Sequence, residues 1–91
     1  MTLEEVYRIL ESKIYYDKDG MRKFSFADNA IHIDRRASIP FTIYKENESF
    51  FLDPDTAIAG EKELRIEIGT FSENSMAFYG KNSGENLITL E

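Results

Sequence analysis

The sequence contains no cysteine, no tryptophan and only one histidine among its 91 residues. Without cysteine the chain forms neither a disulfide nor a thiolate metal site, so packing alone must stabilise it. One histidine leaves too few nitrogen and sulfur ligands for an ordinary zinc site. The absence of cysteine also suits a reducing compartment. We therefore predict no metal and no cofactor.

Long apolar runs are also missing. No stretch approaches the roughly 18 apolar residues that cross a bilayer. The first five residues, Met1-Thr2-Leu3-Glu4-Glu5, are acidic where a secretory signal would be basic. The sequence thus predicts a cytoplasmic protein with no membrane span, with export expected only if a signal peptide has been removed.

Basic charge is scarce and unevenly spread. The net charge is −6: residues 1–36 carry seven basic and seven acidic side chains, and residues 37–91 carry four basic and ten acidic ones. Nucleic-acid binding requires a basic stripe. The local basic pairs, Arg22-Lys23 and Arg35-Arg36, each have acids nearby. We predict that the protein binds neither nucleic acid nor an anionic membrane.

What the sequence does contain is a series of short segments that alternate apolar and polar residues. Alternation with period two is typical of a sheet with one buried and one solvent-facing side. The clearest segment is Leu64–Ile68, in which Arg65 and Glu67 face away from the aliphatic side. The same pattern recurs in Phe24-Ser25-Phe26, Ile31-His32-Ile33, Phe41-Thr42-Ile43 and Met76-Ala77-Phe78.

A helix is predicted at the start of the chain. Thr2 is a good N-cap, and Glu5 three residues later completes a capping box. The helix should end near Lys13. Its apolar face is formed by residues at helical spacing: Leu3, Val6, Tyr7, Leu10 and Ile14.

About seven short strands follow, joined by brief turns that are too short for helical crossovers, so the sheet must be antiparallel. Pro40 marks a strand start or a sheet edge. The strands are predicted at 21–26, 31–36, 41–45, 49–52, 63–68, 75–79 and 86–90. We expect one α+β domain, residues 1–91, in which the helix packs on a strongly curved antiparallel meander or a small barrel.

Motifs that could carry chemistry are weak. His32 and Asp34 share one side of a predicted strand, but side chains two apart lie roughly 7 Å from each other, and no nucleophile accompanies them. Asp17-Lys18-Asp19-Gly20 resembles a calcium loop, but its glycine comes too early, and a hairpin turn explains it. Asn47-Glu48-Ser49 fits the glycosylation pattern only as a short chance match. We predict no catalytic residue and no enzyme.

The three glutamates Glu61, Glu63 and Glu67 follow one side of a predicted strand. Such a row can imitate a phosphate backbone, but Lys62 and Arg65 interrupt it. A solvated face is the expected interpretation.

Aromatic residues are more abundant than a thin sheet requires. The adjacent pairs Tyr15-Tyr16, Phe50-Phe51 and Phe78-Tyr79 must place one ring on each side of a strand. The surplus rings either lie beneath the helix or form a surface for a partner or ligand. The candidate binding residues are Tyr15, Tyr16, Tyr44, Phe50 and Tyr79.

From Ile39 onward the sequence resembles the closing strands of small bacterial lipocalin-like (calycin-type) barrels. The likeness rests on Phe41-Thr42-Ile43, Leu64–Ile68, the stretch 71–78 (Phe-Ser-Glu-Asn-Ser-Met-Ala-Phe) and Leu87-Ile88-Thr89-Leu90. It covers about half the chain. The first half departs, because a helix replaces the opening strand with its tryptophan. The resemblance implies non-catalytic binding of a small apolar molecule or of a partner, and it transfers no individual site residue.

Taken together, these features predict a non-enzymatic binding domain. The leading hypothesis is protein–protein interaction through exposed aromatics, with a protein partner or a second copy in a homodimer. The alternative is a lipocalin-like barrel that binds a small apolar ligand. A closed lumen filled by Phe24, Phe41, Phe78 and Leu64 would rule that alternative out.

Overall fold

The computed structural model describes residues 1–17, 20–70 and 72–91. It consists of one helix followed by eight strands: α1 (Leu3–Glu11), β1 (Tyr15–Tyr16), β2 (Lys23–Ala27), β3 (Ala30–Ile33), β4 (Ala37–Glu46), β5 (Ser49–Pro54), β6 (Leu64–Ile68), β7 (Met76–Gly80) and β8 (Asn86–Leu90). Lys18 and Asp19, at the centre of the predicted Asp17–Gly20 turn, lie outside the described residues, as does Phe71.

Each strand pairs antiparallel with the next one along the chain, in the order β1 to β8. The meander curls into a nearly closed barrel, because the two ends of the sheet meet. The backbone N–H of Tyr16 donates to the carbonyl of Glu91 over 2.9 Å, and the N–H of Glu91 donates back over 3.0 Å. The predicted α+β architecture is confirmed, with eight strands where about seven were expected.

The side chains of β6 lie on the sides of the sheet that the alternation predicts. Leu64 and Ile66 are 1% and 5% exposed, whereas Arg65 and Glu67 are half-buried and form a salt bridge with each other on the other side. The inward rings of the neighbouring strands meet around Phe26, which contacts Phe41 edge-on and stacks on Phe78. The core is therefore the barrel interior.

Two strand boundaries differ from the sequence prediction. β3 ends at Ile33 rather than Arg36, because Asp34 adopts φ 53° and turns the chain. β4 begins at Ala37 and continues through Pro40 instead of starting there. Pro40 is tolerated because it lies where β4 leaves its pairing with β3 and joins β5. Its carbonyl accepts from Asp55, so its missing N–H faces the end of the β5 ladder.

The helix begins and packs as predicted. Thr2 and Glu5 form both bonds of the capping box. The bond from the Thr2 backbone is the main reason that the pKa of the Glu5 carboxyl is lowered. Val6 and Leu10 are fully buried. Two positions expected on this face differ: Leu3 is 37% exposed, and Ile14 is 49% exposed and follows the helix.

Two tyrosines fix the helix to the barrel. The ring of Tyr7 stacks on Phe41 at 6.1 Å, and its hydroxyl accepts the N–H of Ile43 over 3.1 Å. The hydroxyl of Tyr15 donates to the carbonyl of Ile9 over 2.6 Å. Within the described residues, no helix has the length and apolarity needed to cross a membrane.

Candidate functional site

The five aromatic residues proposed from the sequence lie in different environments. Tyr15 is 2% exposed and belongs to the core beneath the helix. Phe50 is half-buried and packs against the core from the inner side of β5. Tyr16 is 55% exposed at the meeting of the sheet ends. Tyr44 and Tyr79 are half-buried and face away from the core.

Tyr44 and Tyr79 belong to a row of side chains that crosses four strands on the outside of the barrel. The register aligns Tyr44 with Phe51, Phe51 with Arg65 and Arg65 with Tyr79. These four residues are called the outer-face row. The rings of Tyr44 and Phe51 stack at 5.3 Å, and the guanidinium of Arg65 lies 4.7 Å from the centre of the Tyr79 ring.

Lys81, which follows β7, packs against the Tyr44 and Phe51 side of the outer-face row. Its ammonium lies 5.3 Å from the centre of the Tyr44 ring and 4.8 Å from that of Phe51. It also donates to the Tyr44 hydroxyl over 2.8 Å and to the Glu63 carboxylate over 3.1 Å. The Tyr44 hydroxyl donates in turn to the same Glu63 oxygen. Covered by these neighbours, Phe51 is only 8% exposed although it points outward.

Each pKa shift in this cluster favours the protonation state present at neutral pH. Hydrogen bonds from Tyr44 and then Lys81 lower the pKa of the Glu63 carboxyl. Bonds to Tyr44 and then Glu63 raise the pKa of the Lys81 ammonium. Loss of solvent contact, followed by the bond to Glu63, raises the pKa of the Tyr44 hydroxyl. With these shifts, Glu63 and Lys81 stay charged and Tyr44 stays protonated at neutral pH.

The three glutamates that follow one side of the predicted strand each contact different partners. Glu63 joins the Tyr44–Lys81 cluster and Glu67 pairs with Arg65. Glu61 binds the turn between β7 and β8, because its carboxylate accepts the N–H groups of Asn82 and Ser83 over 3.2 and 3.3 Å. The expected purely solvated face therefore carries side-chain contacts, one within β6 and the others to neighbouring strands and turns.

His32 and Asp34, the pair considered for acid–base chemistry, contact different backbone groups. The Nε2 atom of His32 lies 3.3 Å from the carbonyl of Ala27, while the carboxylate of Asp34 accepts the N–H of Lys23 over 2.9 Å. In the part of the chain that the structure describes, no three acidic, histidine or cysteine side chains are grouped so as to hold a metal ion.

The barrel interior is almost filled. Its apolar cavity measures about 20 Å³, space for no more than about one water molecule. All nine lining residues are hydrophobic: Phe24, Phe26, Ile31, Ile33, Ile58, Leu64, Phe78, Ile88 and Leu90. Ile58 comes from a tight turn in the loop between β5 and β6, where residues 58 and 61 exchange both backbone hydrogen bonds. This turn places Ile58 among the cavity-lining residues.

Comparisons of the chain with protein-family models, with curated proteins and with solved structures found no match. The architecture agrees with the barrel part of the resemblance to lipocalin-like proteins. No family match supports the lipocalin part.

Phe51 and Arg65 of the outer-face row, and the adjoining Lys81, were not among the candidate residues predicted from the sequence. Each was expected in a strand or turn, and the outward side of Arg65 follows from alternation alone. What the sequence lacked was the alignment of neighbouring strands, which brings Arg65 beside Tyr79 and Lys81 beside Tyr44. Pairing consecutive strands in order, with their outward residues opposed, would have revealed the row.

Proposed function

We propose that this protein is a non-enzymatic interaction domain that binds a protein partner through the outer-face row. The observation that carries the proposal is the row itself: two tyrosines, a phenylalanine and an arginine in register on the side of the sheet opposite the core. Tyrosine and arginine are enriched among the residues that dominate binding energy in protein interfaces.

The physical state of these side chains supports this role. Stacking and the salt bridges hold Tyr44, Arg65 and Lys81 in fixed positions. Side chains that are ordered before binding lose less conformational entropy when a partner docks. Glu46 and Glu63, both salt-bridged to Lys81, add a polar rim to the aromatic centre, which is the usual anatomy of an interface.

Site-specific photo-cross-linking in the expression host tests the proposal. A photoreactive phenylalanine analogue replaces Tyr79 in one protein and Asp28, on an exposed turn outside the row, in a control. We expect a discrete cross-linked species from position 79 that is absent from position 28. Arg65→Ala should remove it while the protein stays folded by circular dichroism. Equal cross-linking at both positions, or none, would refute an interface at the row.

A lipocalin-like ligand site is the second candidate. The wholly apolar lining of the interior cavity favours it, whereas the burial of Phe24, Phe41, Phe78 and Leu64 in a nearly filled lumen argues against it. With about 20 Å³ available, a ligand fits only if side chains that line the cavity, such as Ile58, move aside. This candidate predicts that gently purified protein carries a releasable small molecule in native mass spectrometry. Ile58→Trp should lower the loaded fraction, because a larger side chain at this lining position leaves less room for a ligand. Protein that is bare in both forms would refute the candidate.

A further inference from the structure

Two basic pairs that are separate in the sequence meet at one end of the barrel. The N–H of Asp34 donates to the carbonyl of Lys23 over 2.7 Å, and the N–H of Lys23 donates back to the Asp34 carboxylate over 2.9 Å. The turn that carries Arg35 and Arg36 is thereby held against the start of β2, where Arg22 precedes Lys23. Arg22, Arg35 and Arg36 are exposed.

In the described part of the chain, two carboxylates lie within this group of four cations, and both are already engaged. A third, that of the exposed Glu91, adjoins the group through the backbone bonds between Glu91 and Tyr16. Asp17 is 7% exposed and accepts from the Arg22 guanidinium over 2.7 Å. Asp34 accepts from the backbone of Lys23. Among the described residues, Lys23, Arg35 and Arg36 form no salt bridge, in contrast to Arg65 and Lys81. Four cations therefore accompany three carboxylates within the described ranges, which leaves a small excess of positive charge at this end of an otherwise acidic protein.

Exposed apolar side chains lie within the same cluster. Met21 is 86% exposed and adopts φ 55°, a left-handed conformation that disfavours long side chains. Tyr16, 55% exposed, lies opposite Lys23 in the β1–β2 pairing. A strained backbone that presents a large apolar side chain to solvent indicates function more than stability.

We propose that this basic tip, formed by Tyr16, Met21, Arg22, Lys23, Arg35 and Arg36, binds an acidic segment of a partner polypeptide. Guanidinium groups bind carboxylates through paired, charge-assisted hydrogen bonds. Methionine adapts to varied apolar partners, and tyrosine supplies contact area with a polar end. The tip is distinct from the outer-face row, so the proposal does not depend on the one above.

Charge complementarity selects a polypeptide over a lipid surface or a nucleic acid. The protein carries a net charge of −6, which repels an extended anionic surface or strand. A short acidic segment contacts the tip alone and avoids the acidic remainder of the molecule. Asp17 and Asp34 within the tip further limit the favourable area to a few side chains.

The test measures fluorescence anisotropy of a labelled twelve-residue peptide of Glu and Asp, with its Gln and Asn counterpart as a neutral control. We expect the acidic peptide to bind at low salt and the neutral one not to bind. Arg35→Glu/Arg36→Glu should raise the Kd about tenfold or more, since it reverses two contacting charges. Lys13→Glu/Lys45→Glu makes the same change in net charge at exposed positions elsewhere and should alter the Kd less than about twofold.

Met21→Ser should also weaken binding, because it removes the exposed apolar contact without changing charge. Circular dichroism confirms that each variant is folded. Equal losses in the two charge-reversed proteins would show general electrostatic attraction and overturn the proposal. So would an unchanged Kd in Arg35→Glu/Arg36→Glu, or tighter binding to phosphatidylserine vesicles or to a DNA oligonucleotide than to the peptide.

Discussion

Ile66 and Glu67 are neighbours in β6 whose side chains meet opposite environments. Ile66 is 5% exposed in the core, and Glu67 lies on the outside beside Arg65. Ile66→Asp buries an unpaired carboxylate, at a cost of about 3–5 kcal/mol, a large part of the stability of a small domain. Glu67→Lys breaks one surface ion pair and should cost less than about 1 kcal/mol.

Urea unfolding followed by circular dichroism checks this pair of variants. We expect Ile66→Asp to be largely unfolded before urea is added and Glu67→Lys to unfold near the wild-type midpoint. If both variants lost similar stability, the two sides of β6 would be assigned incorrectly.

Gly80 is required because neighbouring side chains leave no room for a Cβ atom, and not because its backbone adopts a conformation that favours glycine. A Cβ atom at this position would collide with the Glu61 carboxylate and the Ser83 hydroxyl. The Glu61 carboxylate holds two N–H groups of the following turn. Gly80→Ala should therefore displace Glu61 and cost about 1–3 kcal/mol, the range for a lost hydrogen bond to a charged group.

A double-mutant cycle isolates this cause. When Glu61→Ala has already removed the carboxylate, Gly80→Ala should cost less than it does in the wild-type background, because only the contact with the Ser83 hydroxyl remains. Chemical denaturation of the four proteins provides the comparison. Additive losses would mean that the glycine is required for another reason.

At the scale of elements, the sequence predicts correctly those features that depend only on residues close together in the chain. The capping box at Thr2 and Glu5 and the two sides of Leu64–Ile68 both follow from neighbouring residues, and both are present. The course of β4 through Pro40 does not follow, because it depends on which strand lies on each side of that residue. The same dependence hid the outer-face row: Tyr44 and Tyr79 were identified singly, but their link through Arg65 requires strand register.

The Glu63 carboxylate accepts hydrogen bonds from Tyr44 of β4 and from Lys81, which follows β7. The protonation of Glu63 should therefore change the stability of the sheet. The pKa of its carboxyl is lower in the folded protein, and the stabilisation is therefore present at neutral pH. It is lost as pH falls below the unfolded value of about 4.3 and through the folded pKa. Glu63→Gln should be less stable than wild type at pH 7, and this difference should shrink as the pH falls below the unfolded value of about 4.3 and through the lowered folded pKa.

Urea denaturation at several pH values measures that difference. Glu48→Gln, on an exposed turn and without a salt bridge among the described residues, controls for the simple loss of a surface charge. A difference in stability between wild type and Glu63→Gln that did not shrink at any pH below about 4.3 would contradict a role for the ionised carboxylate.

For the whole molecule, we expect the barrel to open first where neighbouring strands are paired over the fewest residues. β4 and β5 are joined over six residue pairs, whereas β1 and β2 are joined over two. β1 meets β8 only through the Tyr16–Glu91 hydrogen bonds and a bridge between Asp17 and Leu90 among the described residues. This seam also adjoins the basic tip through Tyr16, so the least secured part of the barrel lies next to a proposed binding surface.

Tyr16→Pro tests whether this seam opens independently. Proline removes the N–H that bonds to Glu91 and should cost about 1 kcal/mol. Amide hydrogen exchange should then rise at Glu91 and in β1 while β4–β7 remain protected, because a short pairing can open without global unfolding. Tyr16→Ala keeps the N–H and removes only the exposed ring, so it should leave exchange at Glu91 near the wild-type rate. If Tyr16→Pro accelerated exchange equally in every strand, closure at the seam would be a condition of the fold as a whole, and local opening beside the basic tip would be ruled out.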